Sequence, residues 1–276
     1  MKTKAKSLLL IIALVAVASC VALFAWDRSD EWLSAFSSRP STSGPWPSID
    51  ASLLKGEFVR NRYYEGDILD LSTDGEFTYR FSSCMQGHTC EGGLSYENGR
   101  LRFLPKAGHT PDGLARTTTC PFSQGRFELL PIRWDERVYL VEPDRVLEFC
   151  NRVNLGDEPV RETYGHYFYI RRDDHKKAAK RAPVLPREWS RYILSKPVSC
   201  KVTRQREYKL TLDAGDQDGL QPGMLLVSNC SSELSPDATS YTEIVSVGQS
   251  ESRAEVRHGC WPTPGNAIST RKTPSQ

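Results

Sequence analysis

The 276-residue sequence contains no Gly-x-Ser-x-Gly elbow, no His-Glu-x-x-His pair and no glycine-rich phosphate loop. It therefore lacks the turn that exposes a serine nucleophile, the helical histidine pair that holds zinc, and the amide ring that cradles phosphate. Histidine is scarce, with only His88, His109, His166, His175 and His258. His109 and His175 sit in polar stretches and His166 in an aromatic one, so no linear pattern sets a base beside a nucleophile. Carboxylates assembled in space, as in glycosidases, are the catalytic route that leaves no such motif. An excess of one charge is also missing. The formal net charge is +2, and setting aside Lys2, Lys4 and Lys6 leaves 33 basic against 34 acidic residues, about −1. That balance excludes the clustered basic face that nucleic acid requires.

What the sequence does contain begins with Leu8 to Trp26, nineteen residues without a charge. This matches the ~20 residues a helix needs to cross a bilayer. Lysines precede the segment, while Asp27, Arg28, Asp30 and Glu31 follow it. The asymmetry predicts a signal anchor over residues 1–26 with everything after it exported, to a periplasmic or equivalent face of the cell membrane. Val17-Ala18-Ser19-Cys20 supplies the alternative, because it has the lipobox form of a lipoprotein acylated at Cys20. The apolar run continues past Cys20 to Trp26, which favours the spanning helix. Both addresses export the same part of the chain.

Seven cysteines follow the anchor. In an oxidising compartment they read as structural disulfides rather than reactive thiols. Cys84 and Cys90 are close enough to staple a hairpin loop. With His88 between them they also offer metal ligands, but one short of a closed zinc site. Cys120 with Cys150 would tie the middle of the first domain to its helix, one of three connectivities open to four cysteines. Of Cys200, Cys230 and Cys260, one is left unpaired or pairs with another chain; Cys230 with Cys260 is the favoured pairing, with Cys200 then the candidate free thiol. The acidic stretch DAGDQDGLQPG has the look of a calcium loop. Aligned on Gly219, however, its two anchoring carboxylate positions hold Ala214 and Leu225, so a turn is expected instead.

Patterning divides the exported part into two β domains. Residues 27–52 are Ser- and Pro-rich and read as a tether. Residues 53–170 speak in hairpins. Leu69 and Leu71, then Phe77, Tyr79 and Phe81, alternate about Asp74-Gly75, and Leu94 and Tyr96, then Leu101 and Phe103, alternate about Asn98-Gly99. Both dipeptides predict two-residue type I′ turns. A third hairpin turns at Asp135-Glu136. Val146, Phe149, Cys150 and Val153 keep helical spacing up to Gly156, a helix terminator. Seven or eight antiparallel strands in sequence order suggest a disulfide-braced meander curled into a barrel or half-barrel. Residues 171–186, with six Lys or Arg against two Asp, read as a solvated basic linker. Residues 187–271 offer five short strands around the glycines 215, 219 and 223, a small β-barrel, and 272–276 form a tail. The fold class expected is mainly β: an N-terminal transmembrane helix followed by two small antiparallel barrel or half-barrel domains.

Two resemblances sharpen this outline. GEFVR, LDLSTDGEFTYRF, CEGGLSYENGRLRFLP and VYLVEPDRVLEFCNRVN look like an uncharacterised class of exported bacterial proteins. The first three blocks also follow the pattern of lipocalin-like barrels, with a Gly-x-aromatic opening strand, a DG hairpin and a Gly-led strand. LTLDAGDQDGLQPGMLLV with EIVSVGQSESRAEVR is similar to the small β-barrels of the cell-shape scaffold protein MreC, matching at Gly215, Gly219, Leu220, Gly223 and Met224. The loop SNCSSELSPDATSYT departs from that pattern and no long coiled coil follows the anchor, so the resemblance implies a partner-presenting barrel rather than a scaffold role.

These observations point to a non-enzymatic, membrane-anchored envelope protein whose two β domains bind a protein or another envelope component, with no cofactor. A lipocalin-like carrier is the alternative, its apolar ligand lined by Phe77, Tyr79, Phe81 and Phe103. A hydrolase built from dispersed carboxylates is the third reading.

Overall fold

The computed structural model describes residues 40–62, 65–83, 87–106, 127–156, 168–232 and 235–272. Within them, fourteen strands form two closed antiparallel barrels. No helix among the described residues is long and apolar enough to cross a membrane, and the expected anchor, with Cys20, lies outside them.

The first barrel is an eight-strand meander. Its strands are β1 (Gly56–Arg62), β2 (Glu65–Leu71), β3 (Glu76–Ser83), β4 (Gly87–Glu97), β5 (Arg100–Pro105), β6 (Phe127–Trp134), β7 (Arg137–Val141) and β8 (Tyr169–Arg171). Each pairs with the next, and β1 closes on β8 through Phe58↔Arg171 and Val59↔Ile170. The period-two pattern puts Phe58, Leu69, Leu71, Phe77, Leu101, Phe103 and Leu129 inside, none more than 2 % exposed. A Cβ on Gly92 would stand 2.2 Å from the Leu104 carbonyl oxygen and 2.7 Å from the Phe77 ring. The bare glycine is what lets Phe77 lie edge-on to Phe103, with ring centroids 5.1 Å apart. Asn98 and Gly99 have φ of 53° and 73°, the positive pair a type I′ turn needs. Asp74-Gly75 does not form the expected two-residue turn. The connection is the four residues 72–75, only Gly75 has positive φ, and Ser72 hydroxyl bonds to Asp74 and Glu76 brace it.

Strand β7 is buried on both faces. Val138 and Leu140 point into the barrel, while Tyr139 and Val141 point outward beneath helix α1 (Val146–Leu155). Tyr139, Trp134 and Phe168 meet Phe149 of α1 edge-on or steeply tilted at 5.4–6.2 Å. The helix ends at Gly156, whose φ of 70° suits a residue without Cβ.

The second barrel has strand order β10-β13-β12-β11-β14-β9. It comprises β9 (Ser199–Arg206), β10 (Lys209–Leu212), β11 (Leu225–Ser232), β12 (Ser235–Val247), β13 (Ser252–His258) and β14 (Ala267–Ser269). Sequence reading anticipated five of the six strands. β14 is only three residues long and closes the barrel between β11 and β9. The stretch 228–242, read as a loop, instead continues the β11–β12 ladder out to Ser232↔Ser235.

The two barrels share one apolar core. Asn151 of α1 donates to the Gly223 carbonyl at 2.9 Å and accepts from the Leu225 amide at 3.0 Å. Asn154 likewise donates to the Tyr192 carbonyl at 2.8 Å and accepts from the Leu194 amide at 3.0 Å. A one-turn helix α2 (Arg187–Ser190) brings Trp189 and Tyr192 into the same core.

Two segments expected in solvent are instead packed. Trp46 and Ile49 of the tether are buried, and the Trp46 amide donates to the Asn98 carbonyl. The basic linker lies along the first barrel: Asp135 accepts from the Lys180 and Arg181 amides, and Val184 bridges Arg133. Asp174, fully buried, accepts from the Val138 amide and pairs with Arg171 at 2.8 Å and Lys177 at 2.7 Å. Arg171, Arg172 and Lys177 pair with acids, while Lys176, Lys180 and Arg181 stay exposed.

Candidate functional site

The first barrel has two unlike ends. Tight connections 72–75, 98–99 and 135–136 close one end, and the connections 63–64, 84–86, 106–126 and 142–168 lie at the other. The inward phase of β1 to β4 turns polar toward that second end. Arg60↔Asp67, Asp67↔Phe81 and Phe81↔His88 form one row across the four strands. Directly below it the row is Phe58, Leu69, Tyr79 and Cys90.

Arg60 and Asp67 are both nearly inaccessible to water. Arg60 Nε and Nη2 each lie 2.6 Å from Asp67 Oδ2, and Nη1 reaches Glu142 Oε1 at 2.8 Å. Asp67 Oδ1 accepts the Tyr79 hydroxyl at 3.0 Å, and the Arg60 guanidinium stands 4.3 Å from the centre of the Tyr169 ring. Burial first, then the charges of Tyr169 and Asp67, push the Tyr79 phenol far above its ordinary range. Both oxygens of Asp67 are occupied and Tyr79 is held protonated. The network joins β1, β2, β3 and the exit of β7, which suits a lock better than a catalytic pair.

His88 completes the row. Its ring lies 5.0 Å from Phe81 and 5.6 Å from Tyr79, and its two nitrogens have no hydrogen-bond partner among the described residues. Burial lowers its pKa, partly countered by Asp67.

The four residues expected to line a ligand are brought together, but against one another. Phe77, Tyr79 and Phe103 are at most 3 % exposed, which leaves no water-sized gap beside them, and Phe81 packs on His88. Arg60, Asp67, Glu142 and Tyr169 escaped the sequence reading. The signal was present, because the period that places Phe58 and Leu69 inside carries Arg60 and Asp67 with them.

The cysteines divide cleanly. Cys90 and Cys260 are disulfide-bonded, to partners outside the described side chains. Cys90 is therefore unable to serve as a thiolate ligand with His88. Cys150 corrects the expected pairing with Cys120: it is a free thiol, wholly buried in α1 against the first barrel. Helical spacing had put it on the core face, where it is enclosed among apolar side chains. Burial raises its pKa far above the ordinary thiol range. Cys200 is also a free buried thiol, its pKa pushed up to about 12 by burial and then by Asp213 and Asp218. Cys84 and Cys120 lie outside the described residues, and of Cys230 only the backbone is described, opposite Ala238.

In the glycine-rich loop the acidic side chains bind their own turn. Asp213 accepts from the Lys201 amide, Asp218 from the Gly215 amide and Asp216 from Gln221. No metal-binding cluster of His, Cys, Asp or Glu is present among the described residues. Comparison with protein-family models, curated proteins and solved structures finds no match to this chain.

Proposed function

We propose that the protein is a non-enzymatic component of the bacterial cell envelope, held at the membrane by residues 8–26, with the paired barrels outside the cytoplasm as a rigid platform for a protein or other envelope component. The observation that carries this reading is the filling of both barrels combined with their fusion through α1. A body whose described interior is packed with apolar side chains, and whose two barrels share a core through α1, acts through its outer surface. The same packing weighs against the apolar-ligand carrier, and Asp67 is held by Arg60 and Tyr79 rather than open to a substrate. Acylation at Cys20 is the alternative address, which mapping the mature N-terminus distinguishes.

The test is a pull-down from oxidised membranes with the full anchored chain. The expected result is co-recovery of a defined protein, lipid or glycan. Recovery of nothing above a charge-matched control overturns the reading.

A further inference from the structure

The second barrel also has two ends. The 213–224 loop faces α1 at one of them, through Gly223 and Leu225. At the other stand the β9–β10 hairpin, the exit of β13 and the 259–266 crossover to β14. That outer end carries Trp261, 57 % exposed and the one aromatic ring among the exposed large hydrophobics of the described residues. Its loop is pinned on both sides. Gly259 lies so close to Ser240 that a Cβ would stand 2.7 Å from the Ser240 Cα. The Ser240 hydroxyl donates to the Cys260 carbonyl at 2.7 Å, and Cys260 is itself disulfide-bonded. Beyond the tryptophan, Asn266 Oδ1 accepts from the Thr263 amide at 2.7 Å, and the Gly265 amide donates to the Val202 carbonyl at 2.8 Å. The ring is thus held out in water by a rigid loop and does not fold back.

The same end bears exposed Arg204, Arg206, Lys209 and His258 and half-exposed Tyr208. Arg204 and Arg206 make no ion pair among the described residues. Among the described side chains the acids there are Glu207 and the pair Glu243 and Glu255, both of which hold Arg257; the β11–β12 hairpin, whose strand ends Ser232 and Ser235 also stand at this end, adds Glu233 and Asp237 in sequence. Among the described side chains, a single exposed tryptophan beside Arg204 and Arg206 suits the boundary of an anionic bilayer, where the indole sits at headgroup depth and the cations meet phosphates. A protein hot spot would instead cluster several apolar side chains around the ring. The other exposed large hydrophobics, Leu104 and Val184, belong to the first barrel and its flanking segment.

We propose that this outer end of the second barrel docks on the anionic phospholipid surface of the membrane that anchors the chain; the proposal rests on the anchor reading above. Residues 27–39 span at most about 45 Å when extended, so the tip stays near the bilayer and a weak surface suffices.

The test uses the full chain in nanodiscs of phosphatidylcholine, with or without phosphatidylglycerol, and brominated lipid as a quencher of tryptophan fluorescence. Wild type is expected to show more quenching than Trp261→Phe only in anionic discs, and the difference to fade at high salt. Arg204→Gln with Arg206→Gln is expected to lower the docked-to-undocked ratio about 25-fold, at roughly fivefold per cation. Trp26 remains in every variant and reports the anchor. Equal quenching of wild type and Trp261→Phe, with Trp26 quenched, overturns the docking alone. No quenching of Trp26 in any disc overturns the anchor, and the docking with it. A Trp261-dependent signal that is the same in neutral discs overturns the anionic preference.

Discussion

At the residue scale, the buried Arg60–Asp67 pair is the most exacting feature of the first barrel. Each charge is tolerable inside only because the other is there, with Tyr79 and Glu142 completing their hydrogen bonds. Replacing Arg60 by Met leaves Asp67 buried with one phenolic donor, and is expected to lower stability by about 3–5 kcal/mol. Adding Asp67→Leu is expected to restore most of that loss; urea denaturation of the single and double variants checks it. His88 predicts a pH dependence. Its folded pKa lies below the ordinary value of 6.5, so the unfolded chain binds the proton more readily. The stability His88 confers is therefore full above about pH 6.5 and declines as the pH falls through the folded pKa. His88→Phe is expected to flatten the change of Tm between pH 7 and pH 5, read by circular dichroism. An unchanged slope would show that His88 titrates as freely in the fold as out of it.

At the scale of elements, α1 is a helix that belongs to two barrels at once. Its apolar side covers Tyr139 and Val141, while Asn151 and Asn154 each bracket a backbone amide and a backbone carbonyl of the segments beyond. A side-chain amide that satisfies two backbone groups is costly to remove, because both are left without a partner at about 1–3 kcal/mol each. Wild type is expected to unfold in one calorimetric transition, with calorimetric and van't Hoff enthalpies in agreement. Asn151→Leu with Asn154→Leu is expected to separate it into two, one per barrel. A wild type that already shows two transitions would refute the shared core as the source of cooperativity.

At the scale of the whole molecule, each barrel closes through its strand ladder, but the β11–β12 hairpin runs on past its neighbours: β14 pairs with β11 only at Val227, and β13 reaches β12 only as far as Tyr241. Loops, outward side chains and that hairpin are the surfaces left for recognition, and they differ between the two barrels. The first gathers its long connections at the polar end of its interior. The second presents a short rigid loop with a single tryptophan. The basic linker and the end of the tether are laid against the first barrel, which makes the folded body larger than composition suggests.

Local rules determined much of this architecture. Alternation of apolar residues marked most of the strands, Asn98-Gly99 marked its turn and Gly156 the helix end, because each depends on neighbours within a few residues. The same alternation was enough to place Phe77, Tyr79 and Phe103 inside. It did not say whether the interior is empty, since that depends on how strands far apart in sequence meet across the barrel. Closure decided it, by driving these rings against each other and against the space left at Gly92. Tertiary contacts also decided what composition misread: Trp46, Asp174 and the linker amides look like solvent-facing residues until the first barrel supplies their partners. The thiol of Cys150 is the clearest case. An exported cysteine reads as half of a disulfide, but the packing of α1 encloses it in apolar side chains, where it stays a free thiol and burial disfavours the thiolate.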